Sequence, residues 1–525
     1  MLKMDRTIAE KDNRNHLINS IKMKTLKNIL IVSCMLLSCS CKKFLEEKPT
    51  SFLGPNSDLS SAKVARAFAN GGYQNLGGLL SGQSGSYGGN TWNLMEFMTG
   101  KANSDLGQTG FVSFQTLTYS TTSFYIDTWW QQMYLGVGAT NLAIQRIPTI
   151  NAADLSDADK TNMLAEAHTL RALYYFFLVR LYGAVPKITE PAKDLNLQVS
   201  RAPAKQIYDE IIIPDLLLAE KSTLPWKDVT GKVSMSAVKS LLADVYLTYA
   251  GAAINGGAAN YAESAKRSLD VIQHGGYTLF PNYTDMILPA NKNNGEFIFQ
   301  IQYAASVPTT NPLTPLTIPN FSGISSYSDE YGSVWPTDQF IASFPAGDKR
   351  VAERQFFYTS YPSIKNNGTI VTFKNHYIYK WFDVNAVTST TKSDLNYTIY
   401  RLADVMLMYA EASNRAEGSP NANAVTYVNQ IRSRATLAPI GALSQDAFEK
   451  EVWLQRYFEL CFENKMWFDM IRTRKIHNDV TGNWDNFVGH KTVFNATYAE
   501  KQLLFPLPKQ ETDVNPKLLP NNPGF

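Results

Sequence analysis

A mainly α-helical fold, built of paired helices with long loops and small β-hairpins between them, is what this 525-residue sequence predicts. Three observations predict it. Apolar residues recur at alternating steps of three and four over several stretches, the spacing that gathers them on one face of a helix. Those stretches come in neighbouring pairs of helix length, the pattern of helical hairpins stacked as a solenoid. Two segments instead have the β-branched and aromatic content of strands, with partial alternation.

In "TWWQQMYLGVGATNLAIQRI", Trp130, Tyr134, Val137, Asn141 and Ile144 share a stripe. Residues 163–182 carry Met163, Ala167, Leu170, Tyr174, Phe177 and Leu181. Ser156 and Asp159 precede that helix at capping-box positions, and Gly183 and Pro186 stop it. "SAVKSLLADVYLTYAG" aligns Val238, Leu242, Val245 and Tyr249; "YRLADVMLMYAEASNRA" aligns Leu402, Val405, Tyr409, Ala412 and Ala416. Further helices are expected near 203–221, 260–274, 421–435 and 445–473. The pairs do not align on the 34-residue tetratricopeptide signature. "GEFIFQIQY" at 295–303 and "GTIVTFKNHYIYKWF" at 368–382 read as strands. The Gly/Ser-rich 77–92 and the Pro-containing 304–345 are loops of a length that is usually functional or disordered.

The N-terminus has a different character. The run Ile29–Leu37 is apolar apart from Ser33 and follows Lys22, Lys24 and Lys27. It is about half the length of a membrane span and has the parts of a secretory signal peptide. Leu36-Leu37-Ser38-Cys39 looks like the lipobox of a bacterial lipoprotein, in which cleavage precedes a cysteine that then takes a diacylglyceryl group. Cys41 is the competing site, with no apolar residue three positions upstream, so Cys39 is preferred. Residues 1–22 are too polar and charged for an n-region, which makes Met23 the expected start. Multiple acyl chains give the stable anchoring that one does not. The expected division is a signal peptide over 1–38, an N-terminal helical region over 39–275 and a C-terminal region over 276–525.

Without residues 1–38, 42 Lys/Arg face 43 Asp/Glu. A near-neutral chain without basic blocks has no footprint for nucleic acid. Cys461 is the only thiol outside the leader, which argues against a structural disulfide. None of the six histidines stands at zinc-ligand spacing. P-loop, GxSxG and kinase motifs are missing, and "GVGATN" at 136–141 lies inside a helical pattern instead of after a strand.

Glu459 and Glu463 stand four apart, which places two carboxylates on one helix face at roughly 6 Å, near the separation retaining glycosidases use. They flank Leu460 and Phe462 in an apolar helix with Arg456, Lys465 and Arg472 at hand, so the pair reads as structural, as do Arg401, Asp404 and Glu411. Trp129, Trp130, Trp453 and Trp467 lie on helical stripes and read as core. Tyr87 and Trp92 in the Gly/Ser-rich loop, and Tyr327, Tyr331 and Trp335 in the Pro-containing one, are the candidate ligand-binding residues. Flat rings on loops stack on the C–H faces of sugars, with Asn93, Asp329 and Asp338 placed to take hydroxyls. The alternative is that these rings only fold their own loops onto the body.

Several blocks together resemble one family, the SusD/RagB surface lipoproteins of Gram-negative bacteria. They are "CKKFLEEKPT", "AEAHTLRALYYFFLVRLYGAVPKITEP", "YRLADVMLMYAEASNRA", "VNQIRSRA", "RYFELCFENKMWFDMIR" and the closing "LFPLPKQETDVNPKLLPNNPGF", in family order. The sequence departs at Gln455 and Met466, where the family usually has glutamate and arginine, and at the terminal Phe525, where tyrosine usually closes. The resemblance implies tetratricopeptide-like hairpins, an outer-membrane lipid anchor, no enzyme activity or cofactor, and delivery of glycans to a SusC-like TonB-dependent transporter. Individual binding residues do not transfer from it. A peptide-binding member of the same family and a helical-repeat scaffold for surface protein complexes are the alternatives, and a glycosidase is the third.

Overall fold

The hydroxyl of Ser156 accepts the Asp159 amide at 3.1 Å, and Gly183 ends the same helix at φ +72°, so sequence punctuation sets both ends. The computed structural model describes residues 61–77, 92–107, 109–192, 198–306, 311–326, 328–390 and 392–525. Cys39, Cys41, Tyr87 and Tyr327 therefore lie outside the described residues. Residues 58–525 form one compact unit.

The main helices are α1 (Ala62–Gln74), α2 (Trp92–Met98), α3 (Thr109–Gln115), α4 (Phe124–Arg146), α5 (Asp157–Tyr182) and α6 (Ile213–Glu220). They continue with α7 (Met235–Ala250), α8 (Ala258–His274), α9 (Leu402–Glu417), α10 (Ala422–Arg434), α11 (Gln445–Glu459) and α12 (Met466–Thr473). From α4 to α10 each packs on the next: α4 on α5, α5 on α6, α6 on α7, α7 on α8, α8 on α9 and α9 on α10, and α9 also packs on α11. The fold is the expected mainly helical stack of hairpins.

Gly136 shows how closely the helices approach. A Cβ there would sit 2.3 Å from the Tyr174 ring, so the glycine in "GVGATN" is where α4 meets α5 and serves packing. Arg171 of α5 forks onto both oxygens of Asp215 of α6 at 2.7 Å and reaches Asn141 of α4 at 2.9 Å. Glu166 takes hydrogen bonds from Arg66 and Tyr73. The block "AEAHTLRALYYFFLVRLYGAVPKITEP" thus ties α1, α4, α5 and α6 together.

The sheets are two-stranded. Phe297–Ile301 pairs antiparallel with Tyr397–Arg401, and Phe357–Pro362 with Ile370–Ile378. Ala102–Asn103 pairs with Trp335–Pro336, joining the long loop to the chain after α2. A large apolar cluster runs through the helices, and a smaller one gathers Tyr358, Tyr377, Tyr379 and Phe382 beneath the second hairpin.

One expectation is corrected. The helix expected over 445–473 is two helices, because Phe462 and Asn464 adopt φ of +58° and +54° between α11 and α12. Glu459 and Glu463 therefore do not share a helix face. The break frees carbonyls, which Arg401 and Lys380 take at Glu459, Lys380 at Cys461, and the Trp381 indole at Phe462. The ion partners also differ. Glu459 and Glu463 pair with Arg401, Arg434, Arg350 and Lys380, whereas Arg456, Lys465 and Arg472 serve Asp404, Asp469 and Glu411. Gln455, at the departure from the family pattern, accepts Arg350 at 3.1 Å.

Candidate ligand-binding face

The Pro-containing loop is a built structure. Its short helix Leu313–Thr317 is held by Thr314, whose hydroxyl donates to the Trp381 carbonyl at 2.7 Å. The returning strand closes on it through Ser333 N–H to Leu316 and Gly332 N–H to Ile318, at 2.8 and 2.7 Å. Asp105 clamps three segments: its carboxylate accepts the Tyr377 hydroxyl at 2.7 Å and the Asn320 amide at 3.2 Å, and its own amide donates to Gly332. Gly332, at φ +55°, leaves room for this, since a Cβ there would lie 2.0 Å from the carboxylate.

Trp335 and Tyr331 are half-buried on this loop. Trp335 packs on the small aromatic cluster, its ring 6.3 Å from Tyr377, and its indole N–H is turned inward without a partner. The residue presents a ring, not a donor. Tyr331 gives its hydroxyl to Asp329 at 2.7 Å. Asp329 and Asp338 are exposed. Trp92 opens α2.

The sequence reading missed the most exposed phenylalanine among the described residues. Phe321 is 91% exposed at the loop tip, with φ +47°, a conformation a bulky side chain seldom adopts. The tip is fixed: the Asn320 side chain donates to the carbonyls of Glu330 and Tyr331 at 3.2 Å, and the Glu330 carboxylate accepts the amides of Gly323 and Ser325 at 2.7 and 2.8 Å. Ser363 and Ile364 join it to the turn of the hairpin, where Lys365, Asn366 and Asn367 are exposed. Hydrogen bonds thus join the segments that carry Phe321, Tyr331 and that turn, which make up the candidate face, and Trp335 and half-buried Tyr361 pack on the small aromatic cluster. The "KNNG" turn after a Tyr-rich run was the available signal for the first strand and its polar tip.

The described residues of the face bring flat apolar rings near amides and carboxylates. Glu459 and Glu463 are buried elsewhere. Burial alone would raise Glu459, yet Arg434, Arg401 and Arg350 hold its carboxyl far below the usual range. Among the described residues no cluster of three His, Cys, Asp or Glu is placed to hold a metal, and no helix is long and apolar enough to cross a membrane. Trp129, Trp130 and Trp467 are core, while Trp453 is half-buried against Trp484.

The chain is 48% identical to a SusD superfamily protein from Parabacteroides distasonis of known structure. The match covers 89% of this chain and 100% of that one, with a TM-score of 0.85. The chain belongs to the SusD family. Residues 330–525 match the model of that family, and residues 43–247 match one described as "Starch-binding associating with outer membrane". SusD-like protein P2 of Formosa agariphila is 28% identical over 96% of this chain and its own full length. A laminarin binding SusD-like protein shares the fold at a TM-score of 0.73 and 21% identity, over 89% of this chain and 100% of that one.

Proposed function

We propose that this SusD-family chain is an outer-membrane lipoprotein, acylated at Cys39, that captures neutral oligosaccharides on the face around Phe321 and passes them to a SusC-like TonB-dependent transporter. The observation that carries the binding reading is Phe321. Leaving a phenylalanine in water forfeits about 1.5–3 kcal/mol of burial, and here a tightly hydrogen-bonded loop holds it there in a strained conformation. A ring fixed outward suits stacking on a sugar, and exposed Asp329, Asn366 and Asn367 on the hydrogen-bonded segments beside its loop offer groups for hydroxyls. Tyr331 and Trp335 form the supporting wall. Trp92, Tyr87 and Tyr327 remain candidates from the sequence alone. The laminarin-binding relative and the starch-binding family description support the ligand class, and the lipobox supports the anchor.

Affinity electrophoresis against laminarin, xyloglucan and starch tests the reading. Retardation by at least one polysaccharide, weakened in Phe321→Ala and Trp335→Ala, is expected. Retardation that both variants retain in full would place binding elsewhere. Radiolabelled palmitate incorporation, lost in Cys39→Ala and kept in Cys41→Ala, is the expected result for the anchor.

A further inference from the structure

A second concavity opens over α9, which packs on both α8 and α10. Its volume is about 800 Å3, within the usual range of small-molecule sites, about 300–1,000 Å3. Leu402 and Met406 of α9 are buried and form its floor. One wall is α10, and the other is Ile272 of α8 with the segment Tyr277, Thr278 and Leu279 that follows it. Both walls are fixed. The Asn429 side chain accepts the Ile440 amide at 2.8 Å and donates to the Ile440 carbonyl at 3.3 Å, and Arg432 donates to the Ala438 carbonyl at 2.8 Å, which sets the rim at Leu437 and Pro439. Opposite, the Thr278 amide donates to the Gly295 carbonyl at 3.3 Å and the Phe280 amide to the Glu296 carboxylate at 3.0 Å.

Among the described residues no charged side chain lines this groove. Thr426, Gln430 and Ser433 stand at steps of four and three along α10 and so share one stripe. All three are exposed, as is Thr278 across the groove. Thr426 gives its hydroxyl to the Ala422 carbonyl at 2.8 Å. The side chains of Thr278, Gln430 and Ser433 make no hydrogen bond with the described residues. Half-buried Tyr427 lines the groove beside the stripe, its ring set edge-to-face with Tyr409 at 5.5 Å. An ion entering this lining would lose its hydration and meet no counter-charge. A purely apolar ligand would leave the hydroxyls and the carboxamide unpaired. A ring that carries hydroxyls on its edge and C–H groups on its face satisfies both kinds of lining.

We propose that this groove is a second saccharide site, which takes a neutral oligosaccharide lengthwise along α10. Its hydroxyls pair with Thr278, Gln430 and Ser433, and its C–H faces lie against Tyr427 and Leu437. The inference rests on the reading of the chain as a saccharide binder but not on the loop tip, since the groove shares no residue with the Phe321 face.

Titration calorimetry of the mature chain with laminarihexaose, maltohexaose and a xyloglucan heptasaccharide tests this, because ligands so short report each site separately. At least one should bind with two equivalents per chain. Ser433→Arg, which fills the groove from an exposed helix position, should remove one equivalent. Gln430→Ala should weaken the same equivalent about tenfold, the scale of one or two lost hydrogen bonds, and Phe321→Ala should weaken only the other. One equivalent that Ser433→Arg removes and Phe321→Ala leaves intact would uphold the groove and discard the loop tip. A titration that Ser433→Arg leaves unchanged would overturn the groove, whatever Phe321→Ala does. Absence of saccharide binding, or binding of an uncharged Gly-Ser octapeptide that Ser433→Arg abolishes in place of saccharide, would overturn it as well. If Ser433→Arg fails to fold, Gln430→Ala decides by the same criterion.

Discussion

The joint around Arg401 and the loop tip at Phe321 use large side chains in opposite ways. Arg401 is 1% exposed and spends its guanidinium on Glu463, Glu459, Glu296 and the Glu459 carbonyl, at 2.7–2.9 Å. Phe321 is 91% exposed on a backbone that hydrogen bonds hold still. The first region invests its polar groups in position, and the second leaves its ring for something else. They are connected. Lys380 follows the second hairpin and hangs it on the carbonyls of Glu459 and Cys461 and on the Glu463 carboxylate, so the charged joint is the hinge post of the aromatic face.

Breaking the joint has the largest expected effect. Arg401→Met takes the shared cation from three buried carboxylates and leaves them only Arg434, Arg350 and Lys380, and removing one partner of such a set costs about 3–5 kcal/mol. Urea unfolding should register that loss. Lys380→Met should cost somewhat less and also weaken polysaccharide retardation, because the hairpin loses its anchor.

Protonation sharpens the comparison, since the joint carries carboxyls displaced in both directions. Burial would raise Glu463, but Arg401 and Lys380 bring it below the usual range, as the arginines do for Glu459. Their contribution is present above the unfolded pKa and is lost as pH falls. Glu96 is the reverse: burial pushes it up to about 8, against the pull of the Asn464 amide at 2.8 Å. Its contribution is complete below the unfolded value, near 4.5, and is lost as pH rises through 8. Glu96→Gln should therefore remove an alkaline loss on the order of 2–4 kcal/mol between pH 6 and 9, measured as a flatter plot of unfolding free energy against pH.

A smaller effect is expected where helices touch. Gly136→Ala pushes a methyl into the Tyr174 ring, whose hydroxyl is fixed on the Gly72 carbonyl at 2.8 Å. Overpacking of this kind costs about 1–3 kcal/mol. Thermal denaturation should show it, with glycan retardation unchanged.

The two regions also differ in how far the sequence revealed them. Helices were legible because burial imposes periodicity: the stripe through Met163, Leu170 and Tyr174 and the Ser156 cap survive intact in α5. The Glu459–Glu463 spacing misled, because the break at Phe462 and Asn464 is made worthwhile by Arg401, Lys380 and Trp381 from remote parts of the chain. Loop composition pointed to the loop that carries Tyr331 and Trp335. It did not single out Phe321, since exposure of one phenylalanine among many depends on clamps such as Asp105 to Asn320 and Tyr377, more than 200 residues apart.

Phe321→Ala is the smallest perturbation of the fold and the sharpest test of the contrast. A side chain this exposed has almost no burial to lose, so stability should stay within about 0.5 kcal/mol of the parent. If the ring is kept outward for stacking, removing it should weaken retardation by the preferred polysaccharide about tenfold, the scale on which an aromatic anchor contributes at an interface. Fold and binding would then separate cleanly at Phe321, whereas at Arg401 and Lys380 they fail together. Equal retardation with equal stability would make the exposed ring a bystander and leave Trp335 and Tyr331 to carry the face.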